Sequence, residues 1–130
     1  MWSPSQPPPS PVQRIGQTGV MRPFDVPTVS IDEIPADAVL LDVRELDEWQ
    51  AGHVEGAVHV PMNEIPGRTG ELSADADIVV VCKVGSRSAQ VAAWLNHQGY
   101  RSYNLTGGLM AWAAARRPLV SETGAAPDVI

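Results

Sequence analysis

Two short runs, Val39-Leu40-Leu41-Asp42-Val43 and Ile78-Val79-Val80-Val81, constrain this chain more than any other feature. Each is nearly continuous in apolar residues instead of alternating with polar ones. A strand of that kind has both faces in the interior, as in a parallel sheet covered by helices on each side. The segments between and after them supply the helices. Glu45–Ala51 reads as a short helix with acidic residues in its first turn and Gly52 just past its end. Ser88–Gln98 places Val91, Ala92 and Leu95 on one face, with Gly99 at the C-cap. Gly108–Arg117 puts Leu109, Trp112 and Ala113 on a core side, carries Arg116 and Arg117 in its last turn and is stopped by Pro118. Ala57–Val60 and Ser102–Leu105 read as further strands, and Met62–Ile65 as a turn of helix ahead of Pro66-Gly67. Alternation at these lengths predicts an α/β fold, a mostly parallel sheet with helices on both faces.

The ends of the chain have a different character. Residues 1–25 hold six of the twelve prolines and few core formers. Such a segment cannot bury enough apolar area to offset its ordering entropy and is expected to be a disordered tail. Alternatively it is upstream sequence with the true start at Met21. The Pro7–Pro9 run has the composition of a polyproline ligand, on one short tract. The segment has no cationic start followed by an apolar stretch, so it is not a secretory signal. Residues 121–130 lack periodicity and are expected to be a second disordered tail. One folded domain, residues 26–120, remains between them.

Charge and cysteine usage narrow the function. Fifteen Asp and Glu against nine Lys and Arg give a formal charge of -6. That balance excludes nucleic acid or an anionic membrane surface as the primary partner. No apolar run approaches the length of a membrane span. The single cysteine, Cys82, rules out an intrachain disulfide framework, and one Cys with three scattered His does not make a metal-ligand spacing. A small acidic cytoplasmic protein, expected to be a monomer, is left.

Cys82 stands at the end of the most strand-like run, followed by Lys83-Val84-Gly85-Ser86-Arg87-Ser88 and then a helix. In an open parallel sheet, ligands collect beyond the strand carboxyl ends. A tight Gly-containing loop entering a helix aims several N–H groups at one spot, and Lys83 and Arg87 add two charges. All of these effects favour a thiolate, so Cys82 is expected to be a reactive sulfur of lowered pKa. The competing reading is a buried structural cysteine, which does not call for a cationic, serine-rich loop directly behind it.

Four separated segments resemble the rhodanese family of sulfurtransferases, in its single-domain form. They are Leu41-Asp42-Val43-Arg44-Glu45, Gly52-His53-Val54-Glu55-Gly56-Ala57, Cys82–Ser88 and Gly107-Gly108-Leu109-Met110-Ala111-Trp112. The resemblance implies a five-stranded, mainly parallel sheet and a cysteine that becomes a persulfide. The cysteine would take sulfane sulfur from a small anionic donor such as thiosulfate, or from a persulfide. It would pass that sulfur to cyanide, a thiol or a sulfur-carrier protein. The resemblance implies no cofactor. Within this reading the N–H groups of Cys82–Ser88 solvate the persulfide, Arg87 braces the loop and Lys83 contacts the donor. Family members that favour thiosulfate often carry two basic residues after the cysteine, whereas here the second is Val84. Arg44 either faces the donor or pairs with Glu48 or Asp42, and the sequence leaves both open. His53 is read as shaping a turn, His59 and His97 as isolated residues, and Trp49, Trp94 and Trp112 as core.

Two rival functions follow from the same residues. Phosphatases and arsenate reductases cradle an oxyanion above a thiolate, but their loops place five residues between cysteine and arginine. Here four intervene, and Ser88 stands where that arginine would be. A non-catalytic module that docks a sulfur carrier is the second rival, against which the retained cysteine and cationic loop argue.

Overall fold

The computed structural model describes residues 26–130; the N-terminal tail expected over residues 1–25 lies outside them. The elements are β1 (Thr28–Val29), β2 (Val39–Asp42), α1 (Leu46–Ala51), β3 (Val58–His59), α2 (Ile65–Arg68), β4 (Asp77–Val81), α3 (Ser86–His97), β5 (Arg101–Leu105) and α4 (Gly108–Ala114). Short turns of 3-10 helix at Ile31–Glu33, Met62–Glu64 and Thr69–Glu71 join them. The sheet has five strands in the order β1-β5-β4-β2-β3, and every neighbouring pair is parallel. This is the fold class predicted from the alternating pattern. Among the described residues no helix is long and apolar enough to cross a membrane.

The central strand explains why its sequence is so apolar. Along β4 and the residue after it, Ile78, Val80 and Cys82 enter one core layer while Val79 and Val81 enter the other. The two-residue period of a strand thus feeds both layers from one run. On the first face Leu41, Val43, Val60, Ile65, Val91, Ala92 and Leu95 complete the layer, with α3 as its main cover. On the second, Val29, Val54, Tyr103, Leu105, Leu109 and Trp112 close against α4. The register Leu41↔Val80 and Val80↔Asn104 puts β2 and β5 on either side of β4. The carboxyl end of β4 therefore opens between two strands that also end nearby.

Several boundaries differ from expectation. Helix α3 starts at Ser86, not Ser88, because Gly85 takes the N-cap in the left-handed conformation with φ 112°. Its core face is as predicted, with Ser88, Val91, Ala92 and Leu95 buried. At its end the Gly99 and Tyr100 N–H groups return to the carbonyls of Asn96 and Leu95, a Schellman closure. Helix α4 stops at Ala114, short of Arg117, and Ala113 is exposed. Pro66-Gly67 sits inside α2 instead of ending it, since proline is compatible with a first helical turn. The two-residue β1 was not foreseen.

The larger correction concerns residues 121–130, expected to be a disordered tail. They form a strap across the end of α1. Val120 and His53 exchange backbone hydrogen bonds at 2.9 and 2.8 Å, Glu122 N–H donates to Gln50 O and Asp128 N–H to Ala51 O. Val129 packs on the second core layer beside Leu119. Gly52 is flush with this strap: a Cβ there would lie 2.5 Å from Asp128 O and 2.7 Å from Asp128 N. Gly52 has φ 179°, an ordinary extended value, so the requirement is for space and not for backbone freedom.

Removing residues 119–130 should lower the melting temperature by about 5–10 °C, since each kcal/mol shifts a domain of this size by about 4–8 °C. Gly52→Ala should destabilise the full chain and lose most of that effect in the shortened one, where no strap opposes the added methyl. Thermal melts of the four proteins by circular dichroism check both statements.

Candidate active site

Cys82 is wholly buried at the end of β4. Its Sγ lies 3.1 Å from Gly85 N and 3.4 Å from Ser88 N, both N–H groups directed at it, and 3.2 Å from Ser88 Oγ. Burial alone would push the thiol up. The Ser88 hydroxyl and the N–H groups of Ser88, Gly85 and Val84 outweigh it, and the Cys82 pKa lies below that of an ordinary cysteine. The lowered pKa is the one expected from the sequence, and of the sources named there the N–H groups lead, joined by the Ser88 hydroxyl. The favourable groups that count most are hydrogen-bond donors, not the loop cations.

The loop is held open from behind. Leu109 N–H donates to Cys82 O at 2.9 Å and Met110 N–H to Lys83 O at 3.0 Å, so the first turn of α4 takes up both carbonyls. Gly108 makes that approach possible, because a Cβ there would stand 2.5 Å from Cys82 O and 2.6 Å from Lys83 O. The Gly107-Gly108 doublet was the visible sign of this contact, but its role was not readable from the sequence. Ser88 Oγ in turn donates to Asn104 Oδ1 of β5. Asn104 is a site residue that the sequence did not announce.

The other expected site residues fall in different places. Gly85 and Ser88 are buried in the cradle, Val84 and Ser86 are exposed, and Lys83 is half-buried beside Cys82. Arg87 forms a two-bond pair with Glu48 of α1, at 2.7 and 3.0 Å. Each partner holds the other in its charged form: Glu48 is lowered and Arg87 raised, chiefly by this bond. Arg87 thus ties α3 to α1, with its charge matched by Glu48. Arg44 is fully buried, so of its two readings the structure shows the pairing one. Its Nε and Nη2 donate to both Asp42 carboxylate oxygens at 2.8–3.2 Å, its N–H also reaches Asp42 Oδ1, and Nη2 donates to Gly52 O at 2.7 Å. Nη1 has no partner. As a surface contact for a donor Arg44 is misplaced. Burial of the whole guanidinium favours a matched carboxylate two residues away over solvent.

The histidines stay with the scaffold. His53 Nδ1 is 2.8 Å from Trp49 O, and its ring stacks on Trp49 at 3.6 Å. His59 is not isolated: Nε2 is 2.8 Å from Arg44 O and the ring also lies on Trp49, at 4.8 Å. His97 is exposed in the last turn of α3. Trp112 is core, whereas Trp49 and Trp94 are only partly buried.

Two outcomes separate these roles. Arg44→Ala should cost roughly 3–5 kcal/mol of stability by stranding the buried Asp42, a loss readable in denaturant melts. A native melt combined with weakened donor affinity would contradict the structural role. For reactivity, Ser88→Ala should raise the midpoint of the alkylation–pH profile of Cys82 by about one unit, the size of one hydrogen bond to a charged group. Arg87→Ala and Lys83→Ala should move it less.

The geometry can now be set beside known proteins. Residues 30–115 match the model of the rhodanese-like domain. A sulfurtransferase of Allochromatium vinosum is 42% identical over 89 residues, which are 68% of this chain and 83% of that one. A rhodanese-related protein from Thermoplasma volcanium superposes with a TM-score of 0.69 at 25% identity, covering 72% of this chain and 96% of the other. An NAD-dependent persulfide reductase from A. fulgidus contains a similar region, at 35% identity and a TM-score of 0.56; the match covers 65% of this chain and 15% of that much longer one. With the cysteine cradle, the parallel sheet and a family match over most of the described residues, this chain belongs to the rhodanese-like domain family.

Proposed function

We infer that this chain is a sulfurtransferase in which Cys82 carries sulfane sulfur as a persulfide. The observation that carries the reading is the convergence of two N–H groups and one hydroxyl on a single buried sulfur, 3.1–3.4 Å away. With only four residues between Cys82 and Arg87, a cradle of that size suits a single sulfur atom better than a tetrahedral anion. The names of relatives, a sulfurtransferase and a persulfide reductase, support the same class.

The steps balance without an outside oxidant. The Cys82 thiolate attacks the outer sulfur of a donor, the donor S–S bond breaks, and sulfite or a thiolate leaves with the bonding pair. The new Cys82 persulfide carries its negative charge on the outer sulfur, where main-chain N–H groups stabilise it as an oxyanion hole stabilises oxygen. An acceptor, a thiol or cyanide, then attacks that sulfur and Cys82 is released as the thiolate. Sulfur moves between nucleophiles, and neither a metal nor an organic cofactor enters these steps.

Donor choice follows from the charges left over. Arg87 is matched by Glu48, Val84 is 57% exposed and uncharged, and Lys83 is the cation beside the cysteine. Lys83, a loop cation with no ion-pair partner among the described residues, suits a singly charged persulfide better than dianionic thiosulfate. Thiosulfate is a working but weaker donor in this reading, and a thiol or sulfur-carrier protein is the acceptor.

Intact-mass measurement after exposure to thiosulfate or a small-molecule persulfide should show the gain of one sulfur, and Cys82→Ser should show none. With thiosulfate and cyanide the native chain should form thiocyanate. Lys83→Ala should raise the apparent KM for thiosulfate severalfold while changing kcat less, as expected for a group that holds the donor in ground and transition states alike. Hydrolysis of aryl phosphates without sulfur loading would overturn the assignment.

A further inference from the structure

Cys82, Ser88 and Asn104 form a buried chain of side chains: Sγ to Ser88 Oγ at 3.2 Å, and Ser88 Oγ to Asn104 Oδ1 at 2.5 Å. Three elements meet in it. Cys82 follows β4, Ser88 lies in the first turn of α3, and Asn104 belongs to β5, where its main-chain N–H donates to Pro27 O at 2.9 Å. All three residues are buried.

A hydroxyl has one hydrogen to give. While Ser88 gives it to Asn104 Oδ1, its oxygen can only accept from Cys82, so this arrangement belongs to the thiol. After the thiol proton passes to the buffer, Sγ can only accept. The Ser88 hydrogen must then turn toward sulfur, and its oxygen would face the Asn104 carbonyl oxygen with no hydrogen between them. Half a rotation of the amide about Cβ–Cγ removes that conflict, presenting Nδ2–H to Ser88 Oγ. A side-chain amide is suited to this because it offers an acceptor and a donor of nearly equal shape. A carboxylate would fit the first state and oppose the second.

We propose that Asn104 is a positioning residue for the sulfur chemistry, reversing a three-membered hydrogen-bond chain so that Ser88 donates to Cys82 when Cys82 is a thiolate. Asn104 acts through Ser88 and does not touch the sulfur. The charged groups on the elements around the cysteine are Lys83 on the loop, Arg87 of α3 with Glu48 of α1, and the Asp42–Arg44 pair at the end of β2. None of these side chains hydrogen-bonds to Asn104 among the described residues, so the Asn104 amide can be altered without breaking an ion pair.

The proposal rests on Cys82 being the nucleophile, and its test reads thiolate formation directly, so it stands apart from any failure of sulfur transfer. The rate of iodoacetamide alkylation of Cys82 is followed against pH by intact mass, in the full chain and in a Ser88→Ala background. Asn104→Asp keeps the shape but only accepts when ionised. It should raise the midpoint by about one unit, roughly a tenfold slower reaction below both midpoints. Asn104→Leu, which neither accepts nor donates and leaves the Ser88 hydrogen free, should move the midpoint less than Asn104→Asp in the native background and leave it unchanged in Ser88→Ala. The shift from Asn104→Asp should likewise shrink in Ser88→Ala, which keeps the test decisive if the leucine variant does not fold. Equal effects with and without Ser88, or native midpoints in both Asn104 variants, would overturn the proposal.

Discussion

A trans peptide points its C=O and its N–H in opposite directions, and that rigid opposition organises the cysteine loop. The carbonyls of Cys82 and Lys83 are drawn outward to the Leu109 and Met110 N–H groups of α4. The N–H group sharing a peptide with the Lys83 carbonyl is that of Val84, and it is therefore turned inward toward the sulfur. Gly85 continues the turn in the left-handed region, and its N–H and that of Ser88 close the cradle. Charge at the thiolate is thus met by main-chain dipoles whose direction is fixed from outside the loop. The chemistry at Cys82 depends on the docking of α4 as much as on any side chain of the loop itself.

Around that cradle the charged side chains act as ties. Asp42 and Arg44 form a buried pair at the end of β2, and the same guanidinium donates to Gly52 O. Glu48 and Arg87 join α1 to the helix that follows the cysteine. The strap crosses the other end of α1 through Gln50, Ala51 and His53. Helix α1 has no fully buried residue, so these attachments locate it in place of a hydrophobic face. Buried ion pairs add little net stability over apolar residues of equal volume, but breaking one side of such a pair is costly. Their contribution here is to fix where a short, weakly packed helix sits.

The strands β2 and β4 were legible because burial on both faces leaves no alternative to a continuous apolar run. Cys82 and its loop were legible for a related reason, since a cysteine at the end of such a strand followed by glycine and serines has few other uses. What escaped was whatever the main chain does by itself. The strap is attached by backbone hydrogen bonds of Val120, Glu122 and Asp128, and residues with no pattern can form those as well as any others. Helix α3 starts two residues earlier than expected because glycine in the left-handed region fills its N-cap. The partner of Arg44 was undecidable in sequence, with Asp42 and Glu48 both within reach. The sequence offered N–H groups and the charges of Lys83 and Arg87 side by side, and their relative weight follows only from the geometry of the folded loop.

A cradle made of backbone has an evolutionary corollary. The side chains at 83, 84 and 86 are not what holds the sulfur, and Val84 and Ser86 project to solvent. Substitution at these positions can change the surface above the sulfur while leaving the cradle itself intact. Position 108 has no such latitude, because any side chain would collide with the carbonyls that aim the loop. Within four residues of Cys82, and across one contact to α4, the fold thus separates a part free to diversify from a part that is not.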